Sequence, residues 1–97
     1  MSADYYIKEN SIIAKIAAIK LNANSVAIVI GKTIHLANAT KQDFLQNERW
    51  LKHELCHIEQ FKKFGFFNFI YKYLIESYKN GYYMNKYEVE ARAAEDI

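Results

Sequence analysis

The chain has 97 residues, of which 52 % are apolar and 15 % aromatic, so it is long enough to fold around one hydrophobic core. Thirteen basic and eleven acidic residues give a net charge of +2, which favours neither a nucleic-acid partner nor a membrane surface. We therefore expect a single domain over residues 1–97 that neither binds nucleic acid nor inserts into a membrane.

The first predicted element is a helix for which Asn10 or Ser11 can act as the N-cap and which ends at residues 22–24. Three apolar residues recur at the i, i+4, i+7 spacing that is typical of one helix face: Ile12, Ile16 and Ile19. Ala17 and Ala18 keep another part of this helix thin.

A β-hairpin is predicted next. Val26–Ile30 is a continuous apolar run, which is typical of a strand that is covered on both faces. Gly31 then suits the first position of a two-residue hairpin turn. In the second strand, Thr33–Ala37, the residues alternate, with Ile34 and Leu36 inward, as expected for a strand nearer the edge of a sheet.

The second half of the chain predicts three helical segments. The first runs from Thr40 to Gly65, the second is rich in aromatic residues and covers roughly Phe66–Tyr78, and the last runs from Lys86 to about Asp96. The order of a backing helix, a small two- or three-stranded sheet and three helical segments predicts the α+β class.

Nothing in the sequence indicates export or a membrane span. The N-terminus has no basic segment followed by an apolar run, so no signal peptide is visible. The most apolar stretch, Phe66 to Ile75, is far shorter than the ~20 residues that span a bilayer. The only cysteine is Cys56, which favours a reducing compartment, and we therefore expect a cytoplasmic protein.

The most informative motif is His53-Glu54-Leu55-Cys56-His57, an H-E-x-x-H that falls inside the predicted helix 40–65. Residues four apart lie on one helix face, so His53 and His57 can offer imidazole nitrogens to one Zn²⁺. Glu54 lies about 100° round the helix from His53, where it can act as a base towards water at an open coordination position.

A catalytic zinc needs a third protein ligand, for which the last predicted helix offers Glu88 and Glu90. Because these two lie about 200° apart on a helix, only one of them can face the histidine pair. Ala91 shares the face of Glu88 and permits a close helix contact, which favours Glu88. The alternative for Glu88 is a capping box with Asn85. His35 is a weaker ligand candidate, since strand alternation places it outward.

The H-E-x-x-H motif, followed by a glutamate in an E-x-x-A stretch, resembles the gluzincin metallopeptidases. The chain's size and its helix–hairpin–helix order are most similar to the minigluzincins, which are minimal soluble catalytic domains. The resemblance covers about Ala14 to Arg92 and implies that Glu88 is the third zinc ligand. It also implies that Thr33 to Asn38 is the strand beside the cleft, where a peptide substrate binds in extended form.

The chain departs from this family pattern at one position. Many members carry an aspartate directly after the alanine of E-x-x-A, where it supports a zinc-ligand histidine, but here the residue is Arg92. Support for the ligands must therefore come from elsewhere.

The predicted function is a zinc-dependent peptidase, either active or latent, in which Glu54 is the general base. For stabilising the oxyanion, the nearest phenols in the sequence are Tyr82, Tyr83 and Tyr87. Two alternatives stay open: a metal-stabilised interaction module with weak or no turnover, and a helical adaptor without metal. A protein partner or self-association is compatible with each of them.

Overall fold

The computed structural model describes residues 5–97 of the chain and confirms the α+β class. Its elements, in chain order, are β1 (Tyr6–Lys8), α1 (Ile12–Leu21), β2 (Val26–Ile30), β3 (Thr33–Ala37), α2 (Lys41–Gln46), α3 (Glu48–Phe64), α4 (Phe66–Met84) and α5 (Lys86–Ala94). Within this range, no helix combines the length and the apolar content that a membrane crossing requires.

The three strands form one mixed sheet in the order β1-β3-β2. β1 runs parallel to β3, and β2 runs antiparallel to β3 through a hairpin whose turn contains Gly31 at φ 65°. The prediction that Thr33–Ala37 lies nearer an edge is wrong, because β3 has a partner on both sides. Its alternation instead reflects its two faces: Ile34 and Leu36 point into the core, whereas His35 points towards α1.

The sheet lies between two layers of helix. α1 covers one face, and the core on the other face joins the sheet to α2, α3, α4 and α5. The core consists of large apolar side chains from six elements: Val29, Ile34, Leu36, Phe44, Ile58, Phe61, Phe69 and Tyr87.

The face that α1 presents to the sheet is its alanine face. Ala14 is fully buried there, and Ala17 and Ala18 pack beside it. The isoleucines point the other way: Ile12 is 73 % exposed and Ile19 is 80 % exposed. Small side chains let the helix axis approach the strands closely, so the isoleucine stripe lies at the surface.

The prediction of one helix from Thr40 to Gly65 is wrong, because the chain turns at Asn47. This residue has φ −94° and ψ 93°, ends α2 and begins α3. Its side-chain oxygen accepts a hydrogen bond from the backbone N–H of Trp50 at 3.1 Å, which satisfies a free donor at the start of α3. The new start sets the direction of α3 independently of α2.

α4 is longer than predicted and is interrupted at Gly81, whose φ of 82° is not helical. One further helical turn follows before Asn85, which is fully buried. The Asn85 amide donates to the Tyr73 carbonyl at 3.0 Å and to Ser77 Oγ at 2.8 Å, and its oxygen accepts from the Tyr87 N–H at 2.9 Å. Asn85 therefore fixes the start of α5 against α4.

Candidate metal centre

His53 and His57 lie one turn apart on α3 and face α5. Their ring centroids are 5.2 Å apart, and His57 is only 7 % exposed. The spacing in the sequence produces this pairing, because residues i and i+4 share a helix face. The two imidazoles form one wall of the site.

Glu88 of α5 lies opposite this wall and reaches both histidines. Its Oε1 is 3.1 Å from His53 Nε2, and its Oε2 is 3.2 Å from His57 Nε2. Glu88 is 4 % exposed, and Ala91, one turn further along α5, is fully buried against α3. The small side chain of Ala91 allows the close contact that brings the carboxylate between the rings.

The competing uses of these residues do not occur in the structure. Glu88 does not fold back onto the start of α5, because Asn85 caps that helix through the Tyr87 N–H. Glu90 points to Gln60, whose Nε2 donates to Glu90 Oε1 at 2.6 Å. His35 lies on the other face of the sheet, 2.9 Å from Ser11 Oγ.

The second nitrogen of each imidazole also has a partner. His53 Nδ1 is 2.7 Å from Glu95 Oε2, and His57 Nδ1 is 2.8 Å from Gln60 Oε1. The Gln60 amide is oriented by its other contacts, since its Nε2 donates to the Tyr87 carbonyl at 3.2 Å and to Glu90. Both partner atoms are acceptors, so each Nδ1 can keep its proton when Nε2 gives up its own to bind a metal.

Glu95 and Gln60 were not identified from the sequence as supports of the ligands. For Glu95 a signal exists, because it follows Glu88 by seven residues and so lies two turns further along the same face. Gln60 follows His57 by three residues, a spacing that also places two side chains together. Neither spacing distinguishes a ligand support from an ordinary surface residue.

The charges around Glu88 shift the pKa values of the three residues. Burial alone would raise the pKa of Glu88, but hydrogen bonds from His53 and His57 hold that pKa well below its ordinary value. Burial alone would lower the pKa of His53 and of His57, but the hydrogen bonds and negative charges around each ring together outweigh it and raise both. The metal-free site is therefore a buried carboxylate between two imidazoles that hold protons firmly.

Glu54 is buried beside the two histidines and Glu88, but its pKa is shifted in the direction opposite to that of Glu88. Burial raises its pKa from 4.5 to about 8. The two carboxyl groups, Glu54 and Glu88, are thus shifted in opposite directions. Such a divergence is typical of sites in which one acid moves a proton and the other stays ionised.

Two tyrosines reach the site, and one of them was not predicted. The Tyr73 hydroxyl donates to Glu88 Oε2 at 2.5 Å. From the sequence, Tyr73 is only one of several aromatic residues in the predicted helix of Phe66–Tyr78. Tyr82 lines the cavity beside His53 and Glu54, and burial raises its pKa to about 12.

The structure brings neither Tyr83 nor Tyr87 to the site. Tyr87 packs in the core against Phe64 and Phe69. The Tyr83 ring lies 3.9 Å from the Arg92 guanidinium and is 67 % exposed. Both side chains therefore make their contacts elsewhere and do not reach the histidines.

Two adjoining cavities open beside the site, with volumes of about 270 Å³ and about 520 Å³. Both are lined by His53, Glu54 and Tyr82, and both run along β2. The smaller cavity has a largely apolar wall, formed by Ile28, Ile30, Phe61, Phe69, Ile70 and Leu74. The expectation that Thr33 to Asn38 lies beside the cleft is wrong, because β2 lies there and separates β3 from it.

The donor set and its geometry fit a zinc ion. The three candidate ligand atoms, one each from His53, His57 and Glu88, all lie within 4.8 Å of one another. Tetrahedral bonds of ~2.0–2.1 Å place ligand atoms about 3.3 Å apart, so closure around an ion needs only small side-chain movements. Two imidazoles and a carboxylate leave one position open, as in hydrolytic zinc sites.

Comparison with known proteins finds no family model, no curated protein and no solved structure that matches this chain.

Proposed function

We propose that this protein is a zinc-dependent peptidase of the gluzincin type, most similar to the minigluzincins. One observation supports the proposal above all others: His53 Nε2, His57 Nε2 and the Glu88 carboxylate converge at the wall of a cavity. Both Nδ1 atoms face an acceptor, so each imidazole can keep a proton there and present Nε2 to a metal.

The reaction is hydrolysis of a peptide bond, in which water adds to the carbonyl carbon and the C–N bond breaks. When bound, a zinc ion would polarise that carbonyl, lower the pKa of the attacking water towards ~7 and lower the pKa of Glu54 as well. Glu54 accepts the proton of the attacking water and then delivers it to the leaving nitrogen. Its burial next to the histidines keeps this proton away from bulk solvent.

Tyr82 is the phenol best placed to stabilise the developing oxyanion. It lines both cavities, and its raised pKa keeps the hydroxyl protonated and able to donate over the working pH range. Tyr73 has a different role, since its hydroxyl is already committed to Glu88. It holds the carboxylate ligand in place.

The substrate we propose is a peptide in extended form that pairs with β2. Among residues 5–97, β2 is paired only with β3, so its other edge is open to a further strand. That edge runs beside the metal centre. The apolar wall of the smaller cavity, which includes Ile28, Phe69 and Leu74, suits a large apolar side chain next to the scissile bond.

The proposal is tested with the full chain, stripped of metal with a chelator and then titrated with zinc. One equivalent should bind, and the loaded protein should cleave a broad set of unstructured peptides, with preference for those that carry large apolar residues. Glu54→Gln should keep its zinc and lose about 10²–10⁴-fold in rate.

The matched control is Glu59→Gln, which makes the same change on an exposed side chain of α3 that pairs with Lys62 at 3.5 Å. This variant should retain full activity. Turnover that survives in Glu54→Gln removes Glu54 from the mechanism, and a wild-type chain that binds no zinc contradicts the whole proposal.

A second function, a metal-stabilised interaction module, is favoured by the apolar surface of α1. Ile12, Ile16 and Ile19 are each more than half exposed, and exposed apolar patches commonly mark contact surfaces. The open cavities at the metal centre favour the peptidase instead, since purely structural zinc sites have four protein ligands. One bound zinc without any peptide cleavage would point to the module or to a latent peptidase.

A further inference from the structure

Glu95 contacts the metal centre from outside the ligand set. It caps the C-terminal end of α5, and its Oε2 lies 2.7 Å from His53 Nδ1. Because Glu88 and Glu95 are seven residues apart, they lie on the same face of α5 and reach the same imidazole from two turns. Glu88 meets Nε2 and Glu95 meets Nδ1.

The Glu95 carboxylate is itself held in place. Its Oε1 accepts a hydrogen bond from Arg49 Nη2 at 3.1 Å, and the same guanidinium donates from Nη1 to Asp96 at 2.6 Å. The Glu95 side chain is 21 % exposed, whereas that of Asp96 is 70 % exposed. Of these two adjacent acids, only Glu95 turns inward to a histidine.

The two histidines therefore receive different support. His57 Nδ1 meets the neutral amide of Gln60, whereas His53 Nδ1 meets a carboxylate. An ionised carboxylate can only accept a hydrogen bond, so it fixes the proton on Nδ1 and makes Nε2 a stronger donor to a metal. Arg92 cannot supply this support, because its guanidinium packs on the Tyr83 ring and donates to the Tyr83 carbonyl at 2.7 Å.

We propose that Glu95 is a positioning residue of the metal centre: it holds His53 in the tautomer and orientation that present Nε2 to zinc. The inference rests on the proposed function, since it assigns a role at the same site. It places the carboxylate support one turn after Arg92, at the end of α5, and makes that helix the source of both the ligand and its support.

The test compares zinc affinity in Glu95→Ala, Glu95→Gln and Asp96→Asn, measured on the full chain by competition with a chromophoric chelator. Glu95→Ala should bind zinc about 10–100-fold more weakly. Glu95→Gln should lose less, because its amide oxygen still accepts from Nδ1. Asp96→Asn removes the same charge beside Arg49 without touching His53, and it should bind zinc like the wild type.

Two further readouts separate positioning from a structural role. At alkaline pH, where His53 no longer carries its extra proton, the metal-free variants should unfold close to the wild-type temperature, because the Glu95 contacts lie at a partly exposed helix end. With cobalt in place of zinc, the visible spectrum should change in Glu95→Ala and stay unchanged in Asp96→Asn. Only the first substitution changes how the ligand His53 is oriented.

Wild-type affinity in Glu95→Ala, or an equal loss in Asp96→Asn, would overturn the assignment of Glu95. Failure of the proposed function would look different: the wild-type chain itself would bind no zinc, and both the metal centre and the role of Glu95 would then be contradicted.

Discussion

The contact between α3 and α5 buries several polar groups, whereas the contact between α1 and the sheet buries small apolar ones. His57, Gln60 and Glu88 are each less than 9 % exposed, and each is hydrogen-bonded. α1 buries only Ala14 completely. A buried polar group that loses its partner costs about 1–3 kcal/mol. A cluster of such groups is therefore expected mainly where they have a chemical role.

Among changes at the contact between α3 and α5, removal of a zinc ligand should have the largest effect on zinc affinity. Glu88→Ala should weaken zinc binding by more than the roughly 100-fold that supporting residues contribute. Glu90→Ala should have a smaller effect, because Glu90 reaches His57 only through Gln60. Zinc titration of both variants compares them directly, and loss of metal in Glu90→Ala alone would contradict the choice of Glu88.

The pH dependence of stability should come next in size. Between pH 4.5 and about 8 the unfolded chain has released the Glu54 proton while the folded, metal-free chain keeps it, so the free energy of unfolding falls as the pH rises. The raised pKa values of His53 and His57 act in the same direction above pH 6.5. The lowered pKa of Glu88 acts in the opposite direction, but only below pH 4.5.

Zinc should oppose this trend, because it competes with protons for the two imidazoles and binds more tightly as the pH rises. We expect the melting temperature of the metal-free protein to fall from pH 5 to pH 8 and the gap to the zinc-loaded protein to widen. Calorimetry with chelator and with stoichiometric zinc measures both. A gap that narrows as the pH rises would contradict metal binding at the histidines.

The sequence predicted most of the polar contact and less of the apolar one. The positions of His53 and His57 follow from helical spacing, and the choice of Glu88 follows from the small residue Ala91 on its face. Tyr73 was missed because its contact with Glu88 depends on how α4 packs against α5, which no local spacing encodes. The sequence placed β3 near an edge, whereas it is the central strand. Apolar runs and alternation show which faces of a strand are covered, but they do not show which strands lie beside it.

In the contact between α1 and the sheet, a larger side chain on the alanine face of α1 should lower the free energy of unfolding more than any change on its outer face. Ala14→Leu places a large side chain where Ala14 is fully buried against the sheet, and it should destabilise the protein by about 1–3 kcal/mol. Urea denaturation measures the change in the free energy of unfolding. An unchanged midpoint would mean that α1 can move away from the sheet without penalty.

The smallest effect is expected on the isoleucine face. Ile19 is 80 % exposed, so Ile19→Lys should change the free energy of unfolding by no more than about 0.5 kcal/mol. Lysine is also a slightly better helix former than isoleucine, which offsets part of any lost contact. If Ile19→Lys destabilised the chain as much as Ala14→Leu does, this face would be covered in solution. Sedimentation velocity of both variants would then show whether a second copy of the chain covers it.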